Sequence, residues 1–172
     1  MNKKIYTPRN LGIMSIFVSL GIILQYVENT ILFTPVPGGK LGLSNIVSVI
    51  NIFLFGGPNA LVVSMLRAFL GTMLTGGVSA LPYSLAGAFV STISMWGAKH
   101  FFYPGLSMVG ISVIGACLHN VSQIFVASIV FSSGYIFSYM PILLVVGVIC
   151  GFVTGVFARI FGNRFLKRKD IL

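Results

Sequence analysis

The chain of 172 residues is 56% hydrophobic and 8% charged, with a mean hydropathy of +1.01, and so lacks the polar surface that keeps a globule in water. Its formal charge of +9 comes from 11 Lys and Arg set against two acids; these cations cluster at chain ends beside apolar runs and build no basic face with interleaved aromatics, which argues against a nucleic-acid partner. Two acids, Glu28 and the tail residue Asp170, are also too few for the aspartate-rich metal sites of prenyl or phosphoryl transfer, so the chain is not expected to be an enzyme.

Apolar runs, counted against the roughly 20 residues that cross a bilayer, predict an all-α polytopic membrane protein. It forms one transmembrane domain over residues 1–172, a six-helix bundle with spans near 10–27, 41–56, 58–76, 80–98, 107–132 and 136–161. The first run follows a basic segment as a signal peptide would. It is too long for one and has no small-x-small cleavage site before Tyr26, so it reads as a retained helix. Gly12, Ser15, Ser19 and Gly21 place small side chains along it, a stripe that suits either packing within the bundle or docking of a partner membrane protein.

Between the first two runs lies Pro35-Val36-Pro37-Gly38-Gly39-Lys40-Leu41-Gly42-Leu43-Ser44-Asn45. Its prolines favour extended backbone and its glycines permit tight turns, so a shaped loop is expected there. The second run is short, and Gly56-Gly57-Pro58-Asn59 marks a tight break before the third. Arg67 stands near the middle of that third run, where insertion scales charge about 2.5–3.5 kcal/mol for an arginine. Helix-end carbonyls, a ligand facing a cavity, or Glu28 if it bends inward from the outer end of the first run must compensate it.

On the fourth run Tyr83 and Ser84 supply polar groups. On the fifth, His119 and Gln123 share a face at i to i+4 spacing with Asn120 beside them. With Asn45, Gln25 and the deeper Ser48 and Asn51 these make a polar set lying mostly toward the outer half, serving either helix–helix bonding or a site. Gly147, Gly151 and Gly155 in the last run recur every fourth residue, a close-packing face expected to serve the bundle itself. Cys117 and Cys150 fall in apolar runs with no metal-ligand spacing, so no metal and no cofactor is expected.

Orientation follows from the cations. Lys3, Lys4, Arg9, a loop Lys99, Arg159, Arg164, Lys167, Arg168 and Lys169 all fall on one side of an even number of spans, and the positive-inside rule makes that side cytoplasmic. Both termini of a multi-pass cell-membrane protein are then inside. The Pro35–Asn45 loop faces outward, with Lys40 as the exception to the charge rule, paired with Glu28 or poised for an incoming anion. No G-x-x-x-x-G-K-[ST] phosphate loop is present, so any driven transport would draw on another subunit or an ion gradient.

Pro37–Asn45, Arg67 in its apolar helix, Tyr83-Ser84-Leu85-Ala86-Gly87, Gly110-Ile111-Ser112 and His119-Asn120-x-x-Gln123 together resemble the Gx transporter family, many of whose members are labelled component I of heptaprenyl diphosphate synthase. The likeness covers nearly the whole chain, with Ser44 where alanine is expected. That family in turn resembles the S components of energy-coupling factor transporters, six-helix membrane proteins that capture small molecules. The resemblance implies an outer pocket closed by the first loop. It also implies a contact through Ser15 and Ser19 with a transmembrane energising subunit served by ATPases.

The expected function is therefore a membrane-embedded substrate-binding or transport subunit for a small polar or anionic molecule. Its candidate ligand-binding residues are Lys40, Asn45, Arg67, Tyr83, Ser84, His119, Asn120 and Gln123. The alternative is a non-catalytic membrane scaffold of a prenyl diphosphate synthase.

Overall fold

A computed structural model describes residues 7–31, 42–75 and 77–169. Lys40 and most of the proline–glycine loop lie outside them. The described chain forms α1 (Pro8–Ile31), α2 (Asn45–Phe55), α3 (Gly57–Thr75), α4 (Leu81–Phe102), α5 (Met108–Val130) and α6 (Met140–Lys169), with short 3-10 turns at Val78–Ala80 and Gly134–Tyr139. Every described element is helical, as hydrocarbon surroundings demand of backbone that must satisfy its own hydrogen bonds. The expected six-helix bundle is the one found.

The second run departs from its neighbours. Five helices are long and apolar enough to cross a membrane, whereas α2 has 11 residues. At 1.5 Å per residue it covers about 16 Å of a hydrocarbon core roughly 30 Å thick. Eight of its residues are buried, from Asn45 through Leu54. A helix apolar on all sides and this short belongs inside a bundle, and α2 accordingly packs against α1, α3, α4, α5 and α6.

Residue pairs across the helices fix their directions. Gly21 and Gln25 of α1 meet Arg67 and Gly71 of α3, so these two helices run parallel. Ser48 on α2 donates to Ser64 on α3, and Ser44 meets Arg67, so α2 runs against both. Gly57 lies under Trp96, Gly115 under Met95 and Gly151 against Val113, giving antiparallel α3–α4, α4–α5 and α5–α6. The chain thus alternates at each helix, and the short α2 still completes a return to the end where Lys99 lies.

Local signals explain the corners. A single residue, Gly56, joins α2 to α3 with φ +84°, a conformation that glycine adopts without the penalty a Cβ brings. Pro58 sits in the first turn of α3, and Asn59 Nδ2 donates to Phe55 O at 2.9 Å, closing the end of α2. Ser107 caps α5 by accepting from Gly110 N at 3.1 Å.

Lys99 is not in a loop, as expected from sequence, but in the last turn of α4. The apolar run continues past it to Phe102, and its ammonium finds a partner on α2, so the charge does not end the helix. The apolar core occupies the Lys99 half of the bundle, where Met14, Phe17, Val47, Ile50, Ile52, Val63, Met95, Met108 and Ile111 pack together.

The glycine stripe of α6 faces α5. A Cβ on Gly147, Gly151 or Gly155 would meet backbone of Cys117, Val113 or Val109 at 3.3, 2.6 and 2.7 Å. The stripe therefore serves internal packing, as its spacing suggested. On α1 the outcome is divided: Gly21 is buried under Arg67, while Gly12, Ser15 and Ser19 lie on the exposed side. The Ser15 and Ser19 hydroxyls donate to Leu11 O and Ser15 O of their own helix.

A candidate ligand site at the start of the buried half-helix

The centre of the polar half is Arg67, 2% exposed. Its aliphatic stem crosses Gly21 of α1, where any side chain would collide with it. One terminal nitrogen, Nη1, donates to Ser44 Oγ in the turn that opens α2, and Nη2 lies 3.5 Å from Ser64 Oγ, at the limit of a hydrogen bond. Nε has no partner among the described residues. A guanidinium carries five N–H donors; here its partners are neutral hydroxyls rather than carboxylates or helix-end carbonyls.

Beside it, Asn45 is the first residue of α2 and 1% exposed, and neither its Oδ1 nor its Nδ2 has a hydrogen-bond partner among the described residues. Its amide folds back over Gly42, whose φ of +86° brings the backbone close; a Cβ there would lie 2.8 Å from Asn45 Nδ2. Asn45 thus follows directly in sequence on Ser44, the residue that meets Arg67 where the described chain enters α2.

Glu28 of α1 completes this corner. Its carboxylate accepts from Gly42 N at 2.7 Å and Leu43 N at 3.0 Å. These N–H groups precede the first turn of α2, so the buried acid stands at the positive end of the helix dipole.

The α4 and α5 candidates are buried too, but they diverge. Ser84 Oγ lies 3.5 Å from Ala68 O on α3, one residue from Arg67, and Tyr83 is buried beside it in sequence. The His119 ring stands over Gly87, where a Cβ would come within 2.5 Å of Cε1, so His119 faces α4. Asn120 turns to α6 instead and donates to Leu143 O at 2.8 Å. Gln123 is buried on the same helix. The local triplet predicted from spacing is therefore shared between two interfaces: His119 belongs to the α4 side, while the Asn120 amide nitrogen bonds a helix.

Several contributors escaped the sequence reading. Ser44 had the appearance of a small-for-small replacement but supplies the hydroxyl that holds Arg67. Gly21 and Gly87 form notches for charged and aromatic side chains on other helices, pairings that no spacing within one helix reveals. Ser91 and Thr92 on α4 add buried hydroxyls without partners among the described residues. Among those residues, no group of three or more His, Cys, Asp or Glu converges to hold a metal ion.

A bundle of long apolar helices around a short buried one, with its polar groups turned inward, defines a multi-pass α-helical membrane protein. Residues 17–161 match the family model described as heptaprenyl diphosphate synthase component I, and the chain belongs to that family. No curated protein and no solved structure matches it.

Proposed function

We propose that the protein is a substrate-binding or transport subunit that captures a small polar or anionic molecule within the membrane. The observation that carries this is Arg67, a buried guanidinium met by serine hydroxyls, together with the buried amide of Asn45, which has no partner among the described residues. A buried cation is costly in a bundle of this kind, and ionisable residues within membrane helices mark substrate and ion pathways. The start of a half-helix inside the membrane is a place where transporters present N–H dipoles to anionic groups. Ser84, His119 and Lys40 are the further residues we assign to ligand binding in this reading.

The nine cations named above favour a cytoplasmic Lys99 end by the positive-inside rule, with both termini inside and the entrance at the outer face. Exposed Ser15 and Ser19 are then available to a transmembrane energising subunit with ATPases, by analogy with energy-coupling factor S components.

The test is ligand-dependent thermal stabilisation of the purified protein against vitamins and isoprenoid phosphates, run beside Arg67→Ala. A ligand that stabilises the parent and not the variant supports the site; equal stabilisation of both removes Arg67 from it.

The family description favours a second reading, a membrane scaffold for a prenyl diphosphate synthase. Co-purification separates the two. The scaffold predicts a soluble prenyltransferase partner, and the transport subunit predicts a membrane protein with ATPases.

A further inference from the structure

Resting on the ligand site proposed above, we infer that the group recognised there is a single carboxylate, held between the Arg67 guanidinium, the Asn45 amide and the Gly42 and Leu43 N–H groups that precede α2, and that Glu28 is the internal anion it displaces. Three observations lead to this. The first is charge. The described ionisable groups of this corner are one cation, Arg67, and one anion, Glu28, while the other donors are the neutral Ser44, Ser64 and Asn45. The described donors of the corner carry one formal positive charge and include no group of three or more His, Cys, Asp or Glu, and so match a singly charged anion better than a diphosphate. Such an ion is ordinarily met by several cations or by a bound metal.

The second is the position of Glu28. It already holds a carboxylate against the N–H groups of Gly42 and Leu43, at 2.7 and 3.0 Å. The fold therefore contains its own demonstration that this helix start accepts a planar, singly charged oxygen pair. An arriving carboxylate offers the same two acceptors and gains Arg67 as well.

The third is the set of donors left over. Arg67 Nε, beside Gly21, and both polar atoms of Asn45, whose amide lies beside Gly42, are buried without partners among the described residues. A guanidinium presents Nε and one Nη side by side, the fork that meets a carboxylate in two parallel hydrogen bonds. The Asn45 amide supplies one further donor, and its oxygen is left for a donor on the body of the ligand.

The experiment uses the full-length protein in detergent and three probes: hexanoate, its neutral counterpart hexanamide, and inorganic pyrophosphate. Hexanoate several-fold above its Kd should raise Tm by about 2–4 °C, and hexanamide should not. Glu28→Gln should melt lower in the absence of probe, yet show a larger hexanoate shift, because the competing carboxylate is gone. Asn45→Asp, which puts a fixed carboxylate into the corner, should abolish the shift; it serves where Arg67→Gln fails to fold.

A pyrophosphate shift that is lost in Arg67→Gln or Asn45→Asp, with none from hexanoate, overturns the carboxylate and leaves the ligand site standing. A hexanoate shift unchanged in these variants overturns both. No shift from any probe overturns the carboxylate inference, while the wider metabolite panel against Arg67→Ala still judges the site.

Discussion

Lys99, in the last turn of α4, donates its ammonium to the carbonyl oxygen of Ile52 near the end of α2 at 2.8 Å. The same ammonium lies 4.4 Å from the centre of the Phe53 ring. At the other end of α2, Glu28 accepts from Gly42 and Leu43. A helix of 11 residues is thus flanked by a cation at its C-terminus and an anion at its N-terminus, each supplied by a different long helix and each of the sign that the helix dipole favours. This explains how so short a helix remains buried with its end groups satisfied.

Replacing Lys99 by Met keeps most of the stem and removes the donor. The Ile52 carbonyl then loses a charge-assisted partner, and the loss should cost about 1–2 kcal/mol. A fall in Tm of a few degrees, read by thermal unfolding in detergent, checks this. An unchanged Tm would mean that Lys99 serves orientation alone.

The Gly21 notch makes a sharper prediction. A methyl group at this position runs into the Arg67 stem, so Gly21→Ala must move the guanidinium away from Ser44. Overpacking of this kind costs about 1–3 kcal/mol. Gly12→Ala is the control, since a Cβ there meets nothing within 4 Å. If the ligand site is built on Arg67, ligand-induced stabilisation falls in Gly21→Ala and persists in Gly12→Ala.

How far the fold was legible follows from these same residues. Hydrophobic run length is a property of one segment, so the helices and the break at Gly56 could be read directly. The burial of α2 could be read only in part, because its apolar residues look the same whether they face lipid or five other helices. Arg67 announced itself by the cost of a charge in an apolar run. Its partners did not, because Ser44 and Gly21 are ordinary membrane-helix residues whose roles exist only once three helices meet. His119 and Asn120 were joined by sequence and parted by the fold, since adjacent residues on a helix point about 100° apart and reach different neighbours.

Close packing of α5 and α6 carries its own test. Gly151 meets the Cα of Val113, so a larger side chain there must push two backbones apart rather than displace a flexible side chain. Gly151→Leu should lower stability by at least about 3 kcal/mol, above the usual range for overpacking because backbone must move. The accompanying signs would be loss of a monodisperse peak in size-exclusion chromatography and faster proteolysis of the α5–α6 hairpin. A protein that tolerates Leu there would show that the two helices separate at little cost.

Ser44 decides whether the hydroxyl beside Arg67 matters as a hydrogen-bond acceptor or merely as a small side chain. Ser44→Ala keeps the volume small and removes the acceptor from Nη1, leaving Ser64 at 3.5 Å as the remaining partner of the guanidinium. Hydrogen bonds to charged groups contribute about 1.5–3 kcal/mol, and the lost one belongs to a group that cannot turn to water. Ser44→Thr retains the oxygen and adds a methyl group. If the acceptor matters, Ala lowers Tm and Thr stays nearer the parent; if size alone matters, the order reverses. Binding adds a second readout, because a guanidinium released from Ser44 is less well positioned for an anion. Ser44→Ala should therefore weaken ligand-induced stabilisation even after its lower starting Tm is taken into account, whereas Ser44→Thr should preserve it.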